Sequence, residues 1–158
     1  MSAPFPSLPR TWAAFAAEAP ELAAAAERLF RAFTVGYLAT VRVDGAPRVH
    51  PVTVMLHDGG LYVFVLAGSP KLRDLLENGH FALHAFPTLP AADSWDDEEF
   101  MVGGRARRVT EAAERAAVEA VHGDDVGPDD VLFELRAERA VHKHRERGSP
   151  HYRVWTAA

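Results

Sequence analysis

Cationic and hydroxyl side chains surround the start of one short helix predicted near the middle of the chain. Ser69, Pro70 and Lys71 open the segment KLRDLLEN, and Pro70 suits a first helical position. A helix N-terminus has free N–H groups and a partial positive charge, so the hydroxyl and the ammonium beside it predict a phosphate-binding pocket. Arg48, on an earlier predicted strand, would reach the same anion from the neighbouring strand.

A plainer interpretation of the same residues stays open. Ser69 would then be only the helix cap, Lys71 a solvated helix residue and Arg48 an exposed strand residue. The motif by itself does not decide between the two interpretations.

Three strands are predicted to precede this helix. The segments GYLATVRV, RVHPVTVML and LYVFVL are rich in β-branched residues, and Asp-Gly and Gly-Gly pairs separate them. The alternation places Arg48, His50 and Val52 on one face of the second strand. Pro51 removes a backbone donor, so we expect this strand to lie at an edge, to bulge or to turn towards a ligand.

The remaining pattern completes a mainly β protein of the α+β type. Helical spacing over 11–18 and 20–33 predicts two N-terminal helices, and a connecting helix follows Thr110. Further strands are predicted at 80–86, 98–109, 131–145 and 151–155, with a loop at 87–97 and a bulge at Gly103-Gly104. Six to seven antiparallel strands hide their edges by closing into a barrel. We expect a single domain over 1–158, with a helical segment at 1–34 and the barrel at 35–158.

Composition excludes several classes of function. The net charge of -5 provides no field for a nucleic acid or an anionic membrane, and no apolar run approaches the length of a membrane span. The chain has no cysteine, so disulfides and thiolate chemistry are absent. These features together predict a cytoplasmic protein with a small-molecule substrate, no nucleic-acid partner and no membrane partner.

Three long segments carry a resemblance to a known family. LATVRVDGAPRVHPVTVMLHDGGLYVFV, SPKLRDLLENGHFALHAF and EEFMVGGRARRV resemble the pyridoxamine 5'-phosphate oxidase-like family, the flavin-binding split barrels. LFELRAERAV and YRVW resemble the end of its actinobacterial members, so the likeness covers about 36–158. It implies a six-stranded split barrel that forms a homodimer and binds FMN, or in relatives a deazaflavin or haem, in two grooves at the subunit interface.

The resemblance also assigns residues. In the family the backbone of the second strand follows the flavin ring, and a Ser or Thr with a nearby cation holds the phosphate. Carried over, the ring-lining positions are Arg48, Val49, His50, Pro51 and Val52, and the phosphate-binding positions are Ser69 and Lys71. Many members have an Arg-Lys pair at the helix start, whereas here Pro70 precedes Lys71, and Arg73 is one turn away.

The function that this resemblance implies is that of an FMN-binding oxidoreductase whose substrate the sequence does not name. The hydride chemistry belongs to the flavin, so no catalytic residue and no metal ligand is assigned. The alternatives are a flavin- or haem-binding protein without turnover, a deazaflavin-dependent reductase, and a barrel with an empty groove and a structural role.

Histidines near the C-terminus present one more alternative. His142 and His144 share a strand face, and His151 on the next strand would approach them, which allows a metal or haem site. The neighbouring Lys143, Arg145 and Arg147 favour a solvated hairpin instead.

Overall fold

The computed structural model describes residues 8–85, 97–123 and 125–158. The loop predicted at 87–97 therefore lies outside the described residues except for Asp97. Four helices and eight strands occupy the described ranges. In chain order they are α1 (Trp12–Glu18), α2 (Pro20–Ala32), β1 (Val35–Val41), β2 (Pro47–Thr53), β3 (Met55–His57), β4 (Gly60–Val65), α3 (Pro70–Glu77), β5 (His80–Ala85), β6 (Glu99–Arg108), α4 (Ala112–His122), β7 (Val131–Glu146) and β8 (Ser149–Thr156).

All eight strands form one antiparallel sheet, which curls into a split barrel. Its order is β2-β1-β5-β6-β7-β4-β3, and β8 also pairs with β7. β2 and β3 occupy the two ends of this order, yet only Val54 separates them in the chain. The sheet must therefore bend round until its ends approach, although no ladder joins β2 to β3 among the described strands. The mainly β class and the split-barrel architecture predicted from the sequence are confirmed.

The strand count differs from the predicted six to seven because the second predicted strand is two strands. The break falls at Val54, whose N–H donates to the carbonyl oxygen of Thr34 at 2.7 Å in the register of the β1–β2 pairing, whereas the next residue, Met55, pairs with Tyr62 of β4. Pro51 does not interrupt the ladder with β1, since Tyr37 pairs with it in a continuous register. β2 is nevertheless an end strand, as expected for a strand that contains proline.

Tight turns set the register of the meander. Gly45 has a φ of 83°, and Asp58 and Gly59 have φ values of 43° and 73°, so each hairpin holds residues in the left-handed region. Asp-Gly pairs suit two-residue turns of this kind because they tolerate positive φ. The first of these turns immediately precedes β2, so it fixes the position of Arg48 relative to β1.

The two N-terminal helices pack against the barrel through aromatic rings. Phe15 is fully buried, and Trp12 packs edge-on against Phe15, Phe30 and Phe100 with centroid distances of 5.0, 6.4 and 6.3 Å. Pro20 begins the second helix, as the sequence predicts. The helical segment therefore closes over the barrel interior and shares its core.

The connecting helix α4 is held to the sheet by polar contacts. The Tyr62 hydroxyl donates to Glu114 Oε1 at 3.1 Å, and Arg107 bridges Glu114 and the buried Glu134. Burial and the hydrogen bond to Glu114 raise the pKa of Tyr62 to about 12, so this hydroxyl keeps its proton and remains a donor. These contacts hold the first turn of α4 against β4, β6 and β7.

Candidate cofactor site

The side chains of β2 alternate between the interior and the outer face of the barrel. Arg48 and His50 are half-buried and Val52 is buried, whereas Val49 and Pro51 are exposed. The predicted shared face of Arg48, His50 and Val52 is confirmed. Val52 packs into the main core, so only its backbone is available to line a ligand.

A buried carboxylate holds Arg48 in place. Arg48 Nε donates to Asp74 Oδ2 at 2.9 Å, and the Thr40 hydroxyl donates to the same oxygen at 2.7 Å. Thr40 and Asp74 are 1% and 4% exposed, so this triad links β1, β2 and α3 inside the barrel. Burial by itself would raise the pKa of Asp74, but the hydrogen bonds from Thr40 and Arg48 outweigh burial and bring the pKa below its ordinary value.

Replacement of Asp74 by asparagine is expected to lower the free energy of unfolding by about 1–2 kcal/mol at pH 7. Arg48 would lose its charged acceptor, although its partial exposure lets water compensate in part. Since the pKa of Asp74 is lower in the folded than in the unfolded chain, its stabilising contribution disappears as the pH falls below the ordinary value of 3.8. Urea unfolding at pH 7 and near pH 3 checks this, because the gap to wild type should narrow in acid.

Three arginines surround a hollow beside this triad. Its volume is about 370 Å³, and it lies where the β1–β2 hairpin meets the start of α3. Its lining is Arg42, Val43, Asp44, Arg48, Pro70, Arg73 and Asp74. We name this hollow the arginine corner. Sequence reasoning did not include Arg42 or Asp74 in the site.

Ser69 and Lys71 stand at the start of α3. Ser69 occupies the N-cap position, but its hydroxyl makes no capping hydrogen bond, so the interpretation of Ser69 as a simple cap is wrong. Lys71 is half-buried, and burial alone lowers its pKa. Among the residues that the structure describes, none forms an ion pair or a side-chain hydrogen bond with the Lys71 ammonium that would offset its desolvation.

The structure does not bring the three residues predicted to bind phosphate into one hollow. Ser69 lines a second hollow of about 410 Å³ on the other side of the first turn of α3, and Pro70 and Arg73 line both hollows. Lys71 lines neither of them. Arg48 and Ser69 are therefore brought to adjoining hollows that share one helix turn.

His50 contains a polar atom without a partner. Its Nε2 is shielded from solvent and makes no hydrogen bond in the described part of the chain. Buried polar atoms normally have partners, so an unsatisfied nitrogen on the predicted ring-lining strand is a feature that a bound ligand would explain.

The C-terminal histidines do come together, as the sequence predicts. The rings of His142 and His144 stack at 5.3 Å, and those of His144 and His151 stack at 5.5 Å. His142 Nε2 lies 2.7 Å from Glu98 Oε1. Within the ranges that the structure describes, no group of three metal-binding side chains is placed to hold an ion.

The fold and the arginine corner define a class, an antiparallel split barrel with cations at the start of its inserted helix. A family model described as pyridoxamine 5'-phosphate oxidase matches residues 22–144. This match covers most of the chain, so the chain belongs to the pyridoxamine 5'-phosphate oxidase family. A comparison with curated protein sequences finds no match.

Solved structures share this fold at low identity. A haem-binding protein from Mycobacterium smegmatis is 24% identical with a TM-score of 0.64, and the match covers 85% of this chain and 58% of that protein. The haem storage protein HutZ from Vibrio cholerae is 21% identical with a TM-score of 0.60, over 76% and 89% of the two chains. A pyridoxinephosphate oxidase family protein from Clostridium acetobutylicum, related to a general stress protein, is 14% identical with a TM-score of 0.61, over 83% and 91%.

In the described residues no helix has the length and apolar character needed to cross a membrane.

Proposed function

We propose that this chain is an FMN-binding oxidoreductase that works as a homodimer, with Lys71 and Ser69 on the cofactor phosphate. One observation carries the proposal. Lys71 is a half-buried ammonium at the start of α3, its pKa is lowered by burial alone, and the adjacent Ser69 hydroxyl is not used as a cap. A phosphate accepted there would restore the favourable environment of the ammonium and receive the hydroxyl and the free N–H groups of the helix.

The charge around this helix turn supports an anionic ligand. Arg42, Arg48 and Arg73 line the arginine corner, whereas Asp44 and Asp74 are its carboxylates. Asp44 accepts from Arg42 and Asp74 accepts from Arg48, so these carboxylates orient the cations beside them. Within the arginine corner the three arginines outnumber the two carboxylates, which favours an anionic ligand.

FMN would supply the hydride chemistry, and the protein would bind and orient it. The β2 backbone from Arg48 to Val52 would follow the ring, since the outward side chains Val49 and Pro51 are exposed and Val52 faces the core. His50 would offer the flavin a polar contact through Nε2, which has no partner in the described part of the chain, once its ring turns to expose this atom. Arg48, held by Asp74, would fix the anionic end.

Haem is the second candidate, and His50 is the observation that favours it. Its Nε2 has no partner among the described residues, and a turn of the ring would present this imidazole nitrogen, which is of the kind that ligates haem iron, to a ligand. Two structurally similar proteins are described as haem-binding and haem storage proteins. A haem protein would need His50, whereas an FMN protein would need Lys71.

Titration of the purified protein with FMN, haem and a deazaflavin tests the proposal directly. A shifted flavin absorption spectrum with one FMN bound per chain is the expected result. A Soret band with haem, or a shifted deazaflavin spectrum, in the absence of FMN binding would replace the proposal with the corresponding alternative. A protein that binds none of the three would have an empty groove.

A mainly apolar row on the outer face of the sheet, interrupted only by His84 among its six members, supports the homodimer. Directly paired residues place this row across six strands, from β2 through β1, β5, β6 and β7 to β8. Its members are Pro51, Tyr37, His84, Met101, Val141 and Val154. Tyr37 and Val154 are 41% and 53% exposed, and a row of this length on a protein surface indicates a protein contact.

Replacing Val154 with aspartate is expected to weaken the dimer about tenfold or more, because a second copy would bury the new charge without a partner. Val121→Asp is the matched control, since Val121 is 54% exposed on α4 and lies away from the row. Sedimentation equilibrium over a range of concentrations measures both variants. An unchanged association constant for Val154→Asp, or an equal loss in both variants, would contradict a dimer through this face.

A further inference from the structure

A separate hollow lies at the far end of β2, between α2, the β2–β3 bend and the end of α4. Its volume is about 420 Å³, which falls in the range of small-molecule sites. The lining residues are Phe30, Arg31, Thr34, Thr53, Val54, Met55, Leu56, Val121 and His122. We name it the bend hollow. Thr53 is five residues beyond Arg48, which places this hollow about 17 Å along the strand from the arginine corner.

The walls of the bend hollow are mainly apolar. Phe30, Val54 and Met55 are buried, so their side chains form a fixed floor that belongs to the two packed cores. Val121 stands at the rim and is 54% exposed, although it is an apolar residue at the end of a helix. A ligand that covers Val121 and these walls would remove apolar surface from water.

The polar groups of the hollow favour an anion. Arg31 and His122 line it with the hydroxyls of Thr34 and Thr53, and no carboxylate is among its lining residues. The side chain of Arg31 is 75% exposed, and its ion pair with Glu27 is a loose one at 3.6 Å. Arg31 can therefore turn to a ligand in the hollow with little loss of existing contacts.

His122 contributes a second polar group at a fixed position. Its ring packs edge-on against Phe64 with a centroid distance of 5.5 Å, which restrains its orientation. Its Nδ1 is shielded from solvent and has no hydrogen-bond partner among the described residues. Nε2 is then the ring nitrogen that a ligand can reach, and a protonated Nε2 donates to an anionic oxygen.

We propose that the bend hollow binds a small aromatic or aliphatic carboxylate, with its apolar body on Phe30, Val54 and Met55 and its anionic group on Arg31 and His122. The size, the apolar walls and the donors without a lining carboxylate all fit this class of ligand. The site does not require a bound cofactor, so it stands independently of the proposed flavin chemistry.

Fluorescence titration of the cofactor-free protein with 1-anilinonaphthalene-8-sulfonate, an aromatic anion, tests this site. We expect one dye per chain, displaced by 2-naphthoate at least about tenfold more readily than by 2-naphthylmethylammonium, which has the same rings and the opposite charge. Equal displacement by the two compounds would overturn the assignment of an anion site.

Variants locate the dye. Val121→Asp adds a carboxylate to the hollow, and we expect it to weaken dye binding about tenfold or more, as Arg31→Ala and His122→Ala should each do by about fivefold. Val154→Asp, on the outer face, and Lys71→Ala, at the start of α3, should leave dye binding unchanged. Circular dichroism confirms that each variant is folded. Dye binding that is lost in Val154→Asp but kept in Val121→Asp would place the dye on the outer face and overturn the proposal.

Discussion

Lys71→Ala is expected to raise the dissociation constant for FMN about 5- to 150-fold, which corresponds to about 1–3 kcal/mol. The substitution removes an ammonium that is already partly desolvated, so little hydration is lost again when it meets a phosphate. Lys71→Arg should retain most of the affinity because its positive charge remains. Flavin fluorescence quenching on titration measures all three proteins.

The alkaline pH dependence of binding gives an independent check. The pKa of Lys71 is lowered by burial, so wild type should lose FMN affinity as the pH rises through a value below 10.5, while Lys71→Arg should not lose it there. Arg108→Ala on β6 is the control for loss of one exposed cation. An unchanged dissociation constant in Lys71→Ala, or the same loss in Arg108→Ala, would remove Lys71 from the phosphate site.

Gly104→Ala is expected to destabilise the fold by about 3 kcal/mol or more. A Cβ at this position would lie 2.0 Å from the carbonyl oxygen of Arg136 and 2.9 Å from the nitrogen of Glu138. Both atoms belong to the backbone of β7, and the register of β6 against β7 shifts between Gly103 and Gly104. The bulge would therefore have to open to admit a methyl group, and urea unfolding measures the cost.

The adjacent glycine is a matched control for this bulge. A Cβ on Gly103 would meet only the carbonyl oxygen of Phe81 at 3.4 Å, which is an ordinary contact. Gly103→Ala should consequently change the free energy of unfolding by less than about 1 kcal/mol. Similar losses in the two variants would show that the close approach to β7 does not determine the requirement for glycine.

Local patterns accounted for most of the fold. Pro20 at a helix start, the Asp-Gly turn that contains Gly45 and the Gly103-Gly104 bulge all occur where the sequence places them. Each is determined by backbone preferences of a few adjacent residues. The division of the second strand at Val54 was missed because it depends on a change of pairing partner, from β1 before this residue to β4 after it, and the local pattern does not specify that change.

The candidate site was less accessible to sequence reasoning. In the segment KLRDLLEN the sequence pattern predicts that Asp74 is solvated. In the structure Asp74 is buried and accepts a hydrogen bond from Arg48, which lies 26 residues earlier in the chain. One sequence feature pointed to it: Thr40 has the same strand parity as the buried Leu38, and a hydroxyl at an inward position needs a partner. Arg42 was not assigned to the site because only the folded β1–β2 hairpin brings it to the hollow that Arg48 lines.

The long strand β7 has a consequence for synthesis of the protein. It pairs with β6 along most of its length, with β4 at its beginning and with β8 at its end. Because Val131 is the first residue of β7, the strands β1 to β6 are all made before any part of this shared strand exists. A nascent chain that ends before β7 leaves one side of β4 and of β6 open. On the ribosome the barrel therefore assembles late. Until β7 emerges, the open edges of β4 and β6 are protected from aggregation only by chaperones or by rapid synthesis of β7.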